Sequence, residues 1–235
     1  MSIQIINLNK TFDGVVLYHD FSLVCPEGTL TCILGPSGCG KTTLLNMIGG
    51  IVSPDSGELR GVEGKALSYI FQEPRLLPWK TVRENIEFVI SRTIPPGERA
   101  ELADGFIRLV ELEAFSGYYP GKLSGGMRQR VAIARAFAYP SDLILMDEPL
   151  KGLDVALKRN LIRAFSRLWQ NDRRTVVFVT HDVEEALLLG NEIVVFSKAP
   201  VEITLRQEID LPLADRVPES EWLQKIKRTL IDALG

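Results

Sequence analysis

The spacing of apolar residues changes several times along the chain, and the changes divide it into segments. From Ile3 to Val24 apolar and polar positions roughly alternate: Ile3, Ile5 and Leu8, then Val15-Val16-Leu17, then Phe21-Ser22-Leu23-Val24. A period of two predicts short strands, and Asp13-Gly14 and Pro26-Glu27-Gly28 supply turns between them. Leu30–Leu34, Ala66–Phe71, Leu143–Met146, Thr175–Thr180 and Ile193–Phe196 are short and largely apolar throughout. Leu143–Met146 and Thr175–Thr180 predict parallel strands covered on both faces, and Ala66–Phe71 a buried strand. From Thr81 to about Tyr139 the spacing turns helical, with Val82, Ile86 and Val89-Ile90, then Leu102, Phe106 and Leu109-Val110, broken by Pro95-Pro96-Gly97. Thr43–Ile48 and Lys158–Gln170 also read as helices, and Val201, Ile203 and Leu205 alternate. The last segment is amphipathic, with Trp222, Leu223, Ile226, Leu230 and Leu234 expected on one face, packed on the chain's own core because the polar face mixes both signs of charge. The pattern is α/β with a helical insertion, without internal repeats or low-complexity segments.

Composition narrows the class. With 235 residues, 46% hydrophobic and 24% charged, the chain suits one globular domain carrying an inserted subdomain. A net charge of −3, and no basic run beyond Lys225-Ile226-Lys227-Arg228, argue against a nucleic-acid partner. No stretch is apolar for the length of a membrane span, and Met1–Asn7 has no signal-peptide character. Cys25, Cys32 and Cys39 are odd in number, without C-x-x-C spacing or a nearby His, so neither a disulfide framework nor a zinc site is expected. A reduced, cytoplasmic setting fits.

The strongest chemistry lies in Gly35-Pro36-Ser37-Gly38-Cys39-Gly40-Lys41-Thr42, which follows an apolar strand and opens a helix. This is the G-x-x-x-x-G-K-[ST] pattern of a phosphate-binding loop. Glycines let successive backbone amides turn toward one anion, and the helix N-terminus adds its partial positive charge. Lys41 is expected to reach the β- and γ-phosphates, Thr42 to ligate Mg²⁺, and Thr43 to complete the loop; Cys39 reads as a small filler. Leu143–Met146 then ends in Asp147-Glu148, and a buried parallel strand delivers such residues to the same sheet edge. Asp147 is placed to hold Mg²⁺ and Glu148 to polarise the attacking water. His181, ending Thr175–Thr180, repeats that placement and is expected to contact the γ-phosphate or orient Glu148.

Leu123-Ser124-Gly125-Gly126-Met127-Arg128-Gln129-Arg130 supplies an N-cap, two exposed glycines and a helix, a second potential anion site. With all these pieces in this order, the chain resembles the nucleotide-binding subunit of ATP-binding cassette (ABC) transporters over nearly its full length. The resemblance implies a RecA-like P-loop ATPase core with an antiparallel β-subdomain and an inserted helical subdomain. It makes residues 1–235 a single ATPase domain, with about 1–80 and 140–235 as core plus β-subdomain and 81–139 as helical subdomain. It implies a head-to-tail dimer, a homodimer or a dimer with a paralogous ATPase subunit, in which Ser124, Gly125 and Gly126 of one subunit complete the ATP site of the other. Gln72 matches the glutamine that senses Mg²⁺ and the γ-phosphate, Asp154 the loop linking the two sites, and Phe12 the aromatic stacked on adenine. Two departures stand out: Met127 where many members have Gln, and Lys151-Gly152 in place of commoner small residues.

Both Gln72-Glu73-Pro74-Arg75-Leu76-Leu77-Pro78-Trp79 and the Ser124 segment look like the nitrate/sulfonate/taurine branch of bacterial importers. That implies a peripheral protein on the cytoplasmic face of the membrane, docked on a permease through Gln72–Trp79 and coupled indirectly to a solute-binding protein. A DNA-repair cassette would need a long coiled-coil insertion, a translation factor two cassettes, and a GTPase or kinase lacks the Ser124 segment. The remaining alternative is the ATPase of an exporter or lipoprotein-extraction complex.

Overall fold

A computed structural model describes residues 2–235. Two sheets are present. The first is antiparallel, β1 (Ile3–Phe12), β2 (Val15–Cys25) and β4 (Ser56–Arg60) in the order β2-β1-β4. The second joins β5 (Leu67–Ile70), β6 (Leu143–Asp147), β7 (Thr175–Thr180), β3 (Leu30–Leu34), β8 (Glu192–Phe196) and β9 (Ile203–Glu208) in the order β5-β6-β7-β3-β8-β9. All its pairings are parallel except β8 with β9.

The apolar runs of the central strands serve two cores. Leu30, Cys32 and Leu34, with Ile144, Met146, Val176, Phe178, Ile193 and Val195, face one core; Ile33, Leu145, Val177, Val179 and Val194 face the other. Successive residues of a strand point to opposite faces, so a run with no polar positions needs cover on both. The first face is covered by α2 (Val82–Ile90), α3 (Pro96–Leu109), α4 (Gly125–Ala138), α5 (Val155–Asp172), α6 (Val183–Leu189) and α7 (Glu221–Leu234). The second is covered by α1 (Lys41–Ile48) and the antiparallel sheet. Helices α2, α3 and α4 pack on one another, and α4 reaches back to β5.

The structure departs from the sequence pattern in four places. Val15–Leu17 and Phe21–Val24 belong to one continuous strand, because register shifts in its pairing with β1 absorb the polar Tyr18-His19-Asp20 interval. Ser56–Arg60 forms a strand that the sequence pattern does not mark; four of its five residues are exposed, so no apolar alternation reveals it. Helix α6 went unmarked because its apolar residues follow one another as Ala186-Leu187-Leu188-Leu189, all buried. Trp222 is exposed, and the buried face of α7 is Leu223, Ile226 and Leu230, a spacing of three and four that leaves the preceding residue outside.

Candidate functional site

Strands β3, β6, β7 and β5 end side by side, and each delivers one part of the site. After β3 the chain turns through Gly35–Gly40 into α1. Gly40, the residue before the helix, has φ +102°, a left-handed conformation that side chains disfavour. A Cβ there would also stand 3.0 Å from the Tyr18 hydroxyl and 3.1 Å from Leu17. Tyr18 is fully buried and donates to the Gly40 carbonyl at 3.0 Å, so β2 props the loop from beneath. Cys39 is buried inside the loop, while Ser37 and Gly38 are exposed.

Lys41 is buried, and its Nζ donates to the carbonyls of Gly35 at 2.7 Å and Pro36 at 2.9 Å. No described carboxylate pairs with it. A buried ammonium held over a loop of amides fits a bound polyphosphate, which supplies the missing negative charge. Thr42 Oγ1 donates to Asp147 Oδ1 at 3.1 Å. Burial pushes the Asp147 carboxyl above its ordinary value and Glu148 adds to this, against the opposing pull of Thr42, Lys41 and Lys151. A hydroxyl and a buried carboxylate that is costly to ionise fit a hard divalent cation completed by phosphate oxygens. No described cluster of three His, Cys, Asp or Glu could hold a metal by itself.

Glu148 lies one residue beyond β6 with φ +46°, and its amide donates to the Val179 carbonyl of β7 at 3.0 Å. Its carboxylate gathers three neighbours. Oε1 lies 3.1 Å from Nδ1 of His181, and Oε2 accepts from Lys151 Nζ at 2.5 Å and Gln72 Nε2 at 3.4 Å. Burial pushes the Glu148 carboxyl up, but the bonds and charges of Lys151 and His181 outweigh it and hold the group below its ordinary value. Glu148 is therefore a carboxylate at neutral pH, able to accept a proton.

Behind His181 stands a second network. The Thr180 hydroxyl donates to Glu185 at 2.7 Å, Asp182 caps α6 by accepting from the amides of Glu184 and Glu185, and Lys158 of α5 bonds both Asp182 at 3.2 Å and Glu185 at 2.7 Å. Gln72 is held in turn by its flank: Phe71 stacks on Tyr69, whose hydroxyl donates to Asn46 of α1, and Arg75 lies over Phe71.

The other predicted residues lie apart from this cluster. Ser124 caps α4, accepting from the Met127 amide at 3.3 Å, and Ser124 and Gly125 are exposed. A Cβ on Gly126 would stand 3.3 Å from Leu153, so the start of α4 rests against the turn after Glu148. Buried Gln129 donates to the Pro149 carbonyl of that turn at 3.0 Å. Asp154 caps α5 through the Leu157 amide. Phe12 is exposed at the end of β1, with Lys10 over its ring at 5.0 Å. Tyr18, Lys158 and the Lys151 contact were not expected from sequence; the one available signal was the unusual Lys151-Gly152.

The family model described as ABC transporter matches residues 18–151. A taurine import ATP-binding protein of Roseobacter denitrificans is 38% identical over 96% of this chain and 88% of its own length. A nitrate import ATP-binding protein of Synechocystis is 37% identical over 97% and 90%. The dimeric structure of the ABC transporter cassette MJ0796 superposes with a TM-score of 0.79 at 31% identity, covering 88% of this chain and 98% of that one. The same cassette in a post-hydrolysis state bound to ADP and phosphate gives 0.78. The chain belongs to the ABC transporter family, as an ATP-hydrolysing, ATP-binding subunit with a RecA-like P-loop core. No described helix is long and apolar enough to cross a membrane.

Proposed function

We propose that the chain works as one of two cassettes on the cytoplasmic face of a membrane permease, where Mg²⁺-dependent ATP hydrolysis drives import of a solute of the nitrate, sulfonate or taurine kind. The convergence of Lys151, His181 and Gln72 on the Glu148 carboxylate carries the catalytic part of this reading. Lys41 and the amides of Gly35–Thr43 receive the phosphates. Thr42, Asp147 and Gln72 would hold Mg²⁺, which when bound neutralises charge on the phosphates. Glu148 orients a water and takes its proton as the water oxygen attacks the γ-phosphorus, the bond from that phosphorus to the β–γ bridging oxygen breaks, and ADP and inorganic phosphate result. His181 fixes one oxygen of Glu148 and keeps Nε2, which has no described protein partner, for the γ-phosphate. Phe12 offers a ring face to adenine.

The importer reading rests on the names of the relatives and on one surface. Trp79 is 70% exposed, and Phe88, Tyr118 and Tyr119 are exposed too. The loop bearing Trp79 is tied down by buried Asn85, which accepts from the Leu77 amide and donates to the carbonyls of Leu77, Lys80 and Thr81. A fixed, exposed aromatic suits an anchor for a permease helix.

Glu148→Gln tests the catalytic assignment. It should leave ATP affinity intact, because Lys41, Thr42 and the loop are untouched, and lower turnover by about a hundredfold or more. Near-normal hydrolysis by the variant removes Glu148 from the mechanism.

A further inference from the structure

We propose that Lys151 is a positioning residue that latches Glu148 in the single chain, occupying one carboxylate oxygen until the turn carrying it is moved. The inference rests on Glu148 being the base that accepts the water's proton. Three groups meet that carboxylate, and they differ in how they are held. Gln72 follows β5, an edge strand of the larger sheet, and His181 follows the interior strand β7, so both are set by strand ends. Lys151 instead sits in the turn Pro149–Leu153, its side chain half exposed while that of Glu148 is 14% exposed. Among the described residues its side chain makes a hydrogen bond or ion pair only with Glu148, while its charge also acts on Asp147.

An ammonium at 2.5 Å from Oε2 makes a charge-assisted bond that fixes the carboxylate in place. It also fills a lone-pair direction of the oxygen that a water would use. With His181 on Oε1, both oxygens are engaged. The group able to leave is the one carried by a turn rather than set beyond the end of a strand.

The surroundings of that turn say what would move it. Leu153 lies against Gly126 at the start of α4, Gln129 of α4 holds the Pro149 carbonyl, and the turn runs directly into Asp154, the cap of α5. A load on the exposed Ser124-Gly125 end of α4, such as a second copy of this chain seated there, is transmitted through Leu153 and Pro149 to Lys151. Docking of the second copy then withdraws the ammonium and leaves Oε2 with only the longer 3.4 Å contact from Gln72. A lysine in place of a small residue makes the base conditional on assembly.

The test uses the purified full chain without permease, comparing kcat and KM for ATP in the wild type, Lys151→Ala, Lys151→Arg and Glu148→Gln. Without the latch a second copy no longer has to break that bond, so at protein concentrations below those where wild-type specific activity levels off kcat per chain should rise about fivefold, the value of a partly exposed charge-assisted bond, while KM stays within about twofold. Lys151→Arg restores the contact and should keep wild-type kcat. Lys151→Ala combined with Glu148→Gln should be as inactive as Glu148→Gln alone, tying the gain to that carboxylate. An unchanged or lowered kcat in Lys151→Ala, with Glu148→Gln inactive, overturns the latch and leaves the base assignment standing. An active Glu148→Gln removes the base assignment itself.

Discussion

At the scale of single residues, the phosphate loop depends on a backbone shape that only glycine takes cheaply. Gly40 combines φ +102° with a side-chain direction blocked by Tyr18 and Leu17. Gly40→Ala adds about 1–2 kcal/mol of backbone strain and pushes on the hydroxyl that supports the loop. ATP affinity should fall by about tenfold or more, measured by titration of a fluorescent ATP analogue. Unchanged affinity in a folded variant would mean the loop is shaped without Gly40. Lys41, Thr42 and Asp147 were legible in the sequence because two fix each other by adjacency and the third ends an apolar strand. The ring of contacts around Glu148 was not. Its geometry depends on Glu148 at φ +46°, which turns Lys151 back onto its carboxylate, and no spacing rule reports that angle. Tyr18 was hidden for another reason: it acts on Gly40 from another element, and an alternating strand gives every inward residue the same mark.

At the scale of elements, the short helix after His181 is held by its cap. Asp182 accepts from two α6 amides and pairs with Lys158; burial pulls its carboxyl up, but the lysine and the amides outweigh this and leave it below its ordinary value. A depressed folded pKa contributes stability that is complete above the unfolded value near 4 and is lost as pH falls through the folded one. Asp182→Ala should therefore cost about 1–2 kcal/mol at pH 7 and less near pH 3, read from urea unfolding at the two pH values. An equal cost at both would assign the loss to packing alone. The central strands and α2, α4, α5 and α7 were legible because each is long enough to show its period or is apolar throughout. Helix α6 spans two turns, too few for a period, and β4 is an exposed edge strand whose place is set by pairing with β1, a contact between distant residues. Trp222 shows the opposite limit, a large apolar side chain one position away from the buried stripe.

At the scale of the whole molecule, two surfaces remain open, and each makes a prediction. Trp79→Ala should leave ATP hydrolysis by the isolated chain unchanged, since Asn85 and not Trp79 fixes the loop, and should prevent co-purification with the permease. Full assembly of the variant would move the docking site elsewhere. The second surface is the start of α4. Helix α1, which carries Lys41, covers one face of the central sheet with the antiparallel strands, whereas α4 belongs to the core of the other face. Ser124 and Gly125 are exposed there, the Ser124 oxygen accepting from the Met127 amide and its O–H left to donate, and they join none of the contacts among Lys41, Asp147, Glu148 and His181. If these residues take part in catalysis, a second chain must bring them to the first chain's phosphate loop. Specific activity should then rise with protein concentration as dimers form. Ser124→Arg and Lys41→Ala chains should each be inactive alone and regain activity when mixed, because the heterodimer holds one site with an intact Lys41 from the first and an intact Ser124 from the second. Rate measurements across dilution, with sedimentation to count subunits in ATP, read both effects. A monomer whose specific activity ignores concentration, and mixed variants that stay inactive, would place the whole reaction within one chain.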